Sequence, residues 1–283
     1  MRLTIDVSFA SLVLSASAQT FGARGTRERP VDLQRPAAQI EDQFFGAQIA
    51  ADNYTIETFV HVITTQAAEN EYPRVLVDAQ IQTLNERYAA SGFSSNTASV
   101  NYYVNDTWAR CYDPFGEDCQ LEFKSAFCRG TYSDLNLYYL SDLLEEIGLL
   151  GYATFPGDTP TATDVILDGA VNLAATLTGA GVPSFEDYDL GLTTVHKVGH
   201  WLGLLHTFQG FSCTGAGDQV DDTPQRLYYI GGCPARVDSC PDSPGDDPIK
   251  NYMDYTNDFC KDQFSPGQHD RMQNLYSTFR LSK

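Results

Sequence analysis

The chain has 283 residues, 42% hydrophobic and 12% aromatic, enough for a sizeable core in one large domain or in two lobes around a cleft. It carries 37 acidic against 18 basic side chains, a net charge of −19. Such a field repels phosphate backbones and anionic lipid, which argues against nucleic acid and membrane surfaces as partners.

In chain order, residues 1–18 read as an export leader. Arg2 supplies a basic start, Phe9 to Leu14 an apolar core, and Ala16-Ser17-Ala18 a small-x-small cleavage pattern, with Asp6 an unusual acid beside the core. No later segment approaches the roughly 20 apolar residues of a membrane span. Export fits two sequons, at Asn53 and Asn105, where glycans are expected. It also makes the seven cysteines, at 111, 119, 128, 213, 233, 240 and 260, disulfide formers with one thiol left over. None forms the tight C-x-x-C pair of a cysteine-ligated metal site.

Residues 19–56 lack periodicity and read as a linker or short pro-segment. Alternation over Glu57–Thr65 predicts a half-buried strand that opens the first lobe, residues 57–206. Val75, Val77, Ile81, Leu84 and Tyr88 recur at helical spacing and predict a helix within Tyr72–Ala89. Ser99–Val104 and Leu135–Leu140 predict strands with a cysteine-bearing loop between them, and the apolar run Val165–Leu177 is expected near the edge of the sheet. From 207 to 283 the chain reads as a smaller, irregular, cross-linked lobe, because Gly, Pro, Asp and Cys dominate 209–250. It closes with a helix: Ser265 as N-cap, Pro266 in the first turn, then Met272, Leu275, Tyr276 and Phe279 on one face.

The chemistry concentrates in residues 196–206, HKVGHWLGLLH. His196 and His200 are four apart, one helical turn on the same face. Gly203 permits a sharp turn that returns His206 to the same point. Three neutral imidazoles leave the fourth tetrahedral position of a zinc ion for water, as a catalytic site requires. The remaining histidines, His61 and His269, are isolated and read as structural or exposed.

This stretch resembles the extended zinc motif of metzincins. With HTF at 206–208, GDQVDDTP at 217–224, DPIKNYMDY at 247–255 and CKDQFSPGQ at 260–268, the chain is similar to the pappalysin family, especially its fungal secreted members. The resemblance runs from about Glu57 to the C-terminus and is most specific between 189 and 272. It implies an α/β (α+β) zincin fold: a mixed twisted sheet, an edge strand above a cleft, and the zinc helix at its floor. It also implies a secreted endopeptidase acting on extracellular protein or peptide as a monomer. His196, His200 and His206 would hold zinc, Met253 would form the Met-turn beneath it, and Tyr255 would steady the tetrahedral intermediate. The family further implies crossed disulfides, Cys213–Cys240 and Cys233–Cys260, leaving two of Cys111, Cys119 and Cys128 to pair locally. Asp218, Asp221 and Asp222 lie where pappalysins can bind structural calcium, with a solvated turn as the competing reading.

One residue breaks the pattern. At the second position of the motif the family has glutamate, which takes a proton from the zinc-bound water, and here stands Lys197. Its ammonium cannot accept that proton, and its longer arm makes it a poor substitute base, so activity is expected to be absent or strongly reduced. The alternative is a non-catalytic zinc-binding homologue, serving as a binding module or a decaying copy. Two further departures accompany it. Arg24, in Gly-Ala-Arg-Gly-Thr, stands where related zymogens carry the cysteine that caps the zinc. Ala153 and Ala170 stand where fungal relatives carry cysteines.

Overall fold

The computed structural model describes residues 52–111, 118–143 and 149–281. The leader of residues 1–18, Arg24 and most of the expected linker lie outside the described residues.

Five strands form one sheet: β1 (Tyr54–Thr64), β2 (Phe93–Val104), β3 (Leu135–Leu140), β4 (Gly151–Ala153) and β5 (Ala170–Leu173). Their spatial order is β2-β1-β3-β5-β4, with β1, β2, β3 and β5 parallel and β4 antiparallel to β5 at the edge. The sheet is therefore mixed, as the family resemblance implies. A register irregularity between Thr58 and Phe59 interrupts the β1–β2 pairing.

All six residues of β3 are buried, because the central strand is covered on both faces. Leu135, Leu137 and Tyr139 face one core, while Tyr138 and Leu140 face the other. The first core receives helix α1 (Arg74–Tyr88) through Val77, Ile81 and Leu84. The second is closed by helix α2 (Asp118–Phe127), whose Phe123 and Phe127 stack around Tyr138 and His61. His61 is buried there in an aromatic layer, and burial lowers its pKa to about 4, so it is a structural imidazole.

The elements start earlier than the sequence pattern suggests. β1 begins at Tyr54, ahead of Glu57, and β2 at Phe93, ahead of Ser99, because its first half alternates polar residues on an exposed edge. Val165–Leu177 divides into the end of a short helix α3 (Ala162–Ile166), a turn at Gly169, and β5, which lies one strand in from the edge and is covered by β4. Ala153 and Ala170 face each other directly in that ladder. Asn53 is exposed just before β1, and the Asn105 carboxamide oxygen accepts the Thr107 and Trp108 amides after β2.

Beyond residue 207 regular structure is sparse until helix α5 (Pro266–Phe279), which opens with a capping box between Ser265 and Gln268. Cys213–Cys240 and Cys233–Cys260 cross-link this stretch, and Cys111–Cys119 form the local pair, leaving Cys128 half-buried as a thiol. The segment shares the main core, since Phe264, Met272 and Tyr276 pack with α1 and β1 residues. No described helix is long and apolar enough to cross a membrane.

Arg280 ties the end of the chain to this core. Its buried guanidinium meets Asp168 at 2.8 and 3.2 Å, donates to the carbonyls of Trp201 and Tyr132, and stacks 3.9 Å over the Trp201 ring. Arg280→Met should lower unfolding stability by about 3–5 kcal/mol, because it strands the Asp168 carboxylate in the core. Adding Asp168→Asn should recover part of that loss. Urea unfolding of the two variants beside the parent checks this, and an equal loss in both would contradict it.

Candidate metal centre

Helix α4 (Leu192–Trp201) is buried along its whole length and packs against β4 and β5. Its first turn needs acceptors for free amides. Buried Asp258 supplies them, its Oδ2 accepting the Leu190 and Leu192 N–H groups. The helix stops in a Schellman turn: the Gly203 amide bonds the His200 carbonyl, and the Leu204 amide bonds the Gly199 carbonyl. Gly203 has φ +100°, and the Leu275 side chain occupies the place of any Cβ there, so glycine is required twice over.

That turn aims the histidines. The His200 Nδ1 donates to the Leu204 carbonyl at 2.7 Å, and the His196 Nδ1 donates to the Tyr252 carbonyl at 2.8 Å. With Nδ1 protonated, each ring presents an Nε2 lone pair inward. The His196 Nε2 is buried without a hydrogen-bond partner, and the Nε2 atoms of His200 and His206 approach to 3.1 Å. In a tetrahedral zinc site with Zn–N of about 2.05 Å, ligand nitrogens lie about 3.3 Å apart. Burial holds all three imidazoles neutral, with pKa values well below the usual 6.5. The donor set therefore fits a zinc ion. Among the described residues it is the one group of three or more His, Cys, Asp or Glu side chains whose donor atoms all lie within 4.8 Å of one another.

Met253 lies fully buried beneath the helix, where a Cβ on Gly199 would come within 2.6 Å of its Sδ. The turn that carries it is held by Asn251, whose Oδ1 accepts the Met253 amide and whose amide group pairs with Gln268 at the start of α5. Tyr255 follows, its ring centroid 4.9 Å from His206 and 5.6 Å from His196. The structure thus brings His196, His200, His206, Met253 and Tyr255 together.

Lys197 is 1% exposed, and its Nζ has no hydrogen-bond partner. It lines a narrow cavity with Thr193, Tyr255 and Lys261, and burial, with the Lys261 charge, lowers its pKa to about 7. An ammonium left unpaired at such depth is costly, and partial loss of its proton relieves that cost.

The expected calcium residues do not converge. Exposed Asp222 is drawn to the start of α5, where it accepts the Ser265 hydroxyl at 2.6 Å and the Gly267 amide at 2.8 Å. Asp218 is buried in its own turn, accepting from the Thr223 hydroxyl and the Val220 amide, while Asp221 is exposed. The start of α5 and Thr223 thus engage Asp222 and one oxygen of Asp218, while the other Asp218 oxygen is buried without a hydrogen-bond partner.

Several supporting groups carried no pattern in the sequence: Asp258, the Tyr252 carbonyl, and Arg226. The last is fully buried and pairs with Asp254 at 2.5 Å and Asp247 at 3.3 Å, bracing the Met253 turn. Only distant chain reversals bring these groups to the site.

Comparison with known proteins points to one family. Residues 136–277 match the Peptidase_M43 family model, described as pregnancy-associated plasma protein-A. An extracellular metalloprotease of Pyricularia oryzae is 43% identical over 81% of this chain and 77% of its own length. One from Colletotrichum graminicola is 38% identical over 99% of this chain and 100% of its own. Tannerella forsythia mature mirolysin, solved in complex with a cleaved peptide, superposes with a TM-score of 0.65 at 27% identity, covering 81% of this chain and 96% of that one.

Burial pushes the Asp218 carboxyl up to about 7, against about 3.9 in an unfolded chain. The folded chain then holds a proton that the unfolded chain has released, so stability falls as pH rises from about 4 to 7. Asp218→Asn should raise the melting temperature at pH 8 by several degrees and change it little at pH 4. Calcium should shift neither protein. A calcium-dependent rise in the parent that the variant lacks would restore an ion site.

Proposed function

The chain belongs to the Peptidase_M43 family of metalloproteases, and from that premise we propose that it is an extracellular zinc protein whose peptidase activity Lys197 has removed or strongly reduced. The observation that carries the reading is the pairing of two features. Three buried imidazoles offer inward Nε2 donors, and the side chain beside the first of them is a buried lysine without a partner.

His196, His200 and His206 would hold the zinc through their Nε2 atoms. Bound there, zinc supplies a Lewis acid for a carbonyl oxygen and lowers the pKa of a water. The protein would do the rest. An extended protein or peptide chain would pair with the edge strand β4, which is antiparallel and at the sheet margin. Tyr255, whose ring lies beside His196 and His206, would donate its hydroxyl to the oxygen that gains charge. What is missing is a carboxylate at residue 197 to take a proton from the attacking water and return it to the leaving amine. Loss of such help costs about 10²–10⁴ in rate. Export by the leader, glycans on Asn53 and Asn105, and a monomeric state belong to the same reading.

A second reading, a peptide-binding homologue that no longer cleaves, is favoured by the same lysine. It differs only in whether residual hydrolysis is zero.

Zinc content by plasma mass spectrometry and cleavage of a quenched peptide, measured on the parent and on Lys197→Glu, separate the possibilities. Both proteins should bind about one zinc per chain, and the variant should cleave about 10²–10⁴ times faster. Equal rates would defeat the assignment of lost activity to Lys197. Zinc in neither protein would defeat the metal site itself.

A further inference from the structure

From His206 a run of aromatic rings leads out of the metal site to the surface. The His206 ring lies parallel to Phe208, at 4.7 Å and 9°. Phe208 in turn meets Tyr255 at 4.8 Å, Tyr229 at 5.4 Å and Phe211 at 5.7 Å. Tyr229 also touches Tyr255 at 5.3 Å. Phe208 is buried, Tyr229 half-buried, and Phe211 is 56% exposed. A single exposed phenylalanine needs no explanation, but this one continues a ring system that begins on a metal-ligand candidate.

Phe211 is also held in an unusual backbone state, with φ +49°. A bulky L-residue rarely enters the left-handed region, and it persists only where the surroundings impose it. The frame is visible on both sides of the ring. The Phe211 amide bonds the Phe208 carbonyl, Ser212 bridges to Arg226, and Cys213 is cross-linked to Cys240. Arg226 donates to the Tyr228 carbonyl at 2.6 Å and pairs with Asp254, the residue before Tyr255. One buried guanidinium thus fixes the loop carrying Tyr229 to the turn carrying Tyr255. Phe211 and Tyr229 therefore present two neighbouring aromatic rings on a loop framework that is fixed in advance, which lowers the cost of binding.

We propose that Phe211 and Tyr229 form a subsite for one aromatic or large aliphatic side chain of an extended peptide lying across the metal centre. The ring steps of 4.7 and 5.7 Å from His206 to Phe211 match the reach of about two to three extended residues, so the recognised side chain is that close to the metal. This inference rests on the reading of the site as a peptide-binding cleft.

The test is fluorescence anisotropy with labelled peptides that carry Phe, Leu or Ser at each position in turn, their integrity checked by mass spectrometry. At one position the parent should bind the Phe and Leu peptides about tenfold more tightly than the Ser peptide. Phe211→Gly should abolish that difference while keeping zinc content and an equal or higher melting temperature, because glycine accepts the positive φ. Tyr229→Ser should weaken the preference as a second probe. A preference unchanged in Phe211→Gly, no preference in the parent, or self-association that depends on Phe211 in place of peptide selectivity would each overturn the subsite. Zinc without preference refutes the subsite alone. Preference without zinc refutes the metalloprotease reading and leaves the subsite standing.

Discussion

At Gly203 the backbone reverses with φ +100°, and the Leu275 side chain closes the space a Cβ would need. That reversal does three things at once. It ends α4 through the amides of Gly203 and Leu204, it places the Leu204 carbonyl where it holds the His200 ring, and it turns the chain so that His206 faces the two helical imidazoles. It also docks the last helix, because Leu275 belongs to α5. A metal-ligating geometry and the packing of the C-terminus therefore share one backbone constraint. Arg280 reinforces it from the far end of α5, bonding the carbonyl of Trp201 just before the turn.

The chain is strongly acidic, and the cavity beside the imidazoles brings Lys197 and Lys261 together with Asp254. Lys261 sits 3.3 Å from Asp258, whose other oxygen serves the start of α4. Lys197 has no such partner. A carboxylate at this position would balance a dication and accept a proton, whereas an amine does neither while it is charged. The substitution leaves the ligands and their carbonyl supports untouched. On the proposed reading, metal binding and proton transfer, which the motif ordinarily unites, would be separable in this protein.

Legibility of the sequence tracked how local each cause was. The helices containing Val77, Ile81 and Leu84, and the one starting at Ser265-Pro266, were readable because spacing and capping act within a few residues. β3 was readable as an apolar run of strand length. The first half of β2 was not, since an edge strand that exposes Ser and Asn leaves no apolar alternation. The three-residue β4 is too short for any period, although with β5 it borders α4. The acids at 218, 221 and 222 were compatible with either a calcium loop or a solvated turn, and proximity in sequence did not gather their carboxylates. Asp222 instead accepts the Ser265 hydroxyl and the Gly267 amide at the start of α5, 43 and 45 residues away.

By itself the sequence determined the ligand types, their helical spacing, the glycine that turns the chain, and the lysine that stands beside the first histidine. Those are local matters, set by 3.6 residues per turn and by which residue tolerates a positive φ. Only the tertiary structure decided which carbonyls orient the rings, that Met253 would seat under Gly199, that Arg226 would join two loops beneath the aromatic run, and that the acidic loop would cap a helix. Each of these depends on groups far apart in the chain meeting in a dry interior, where an unpaired donor or acceptor is expensive and the nearest available partner wins.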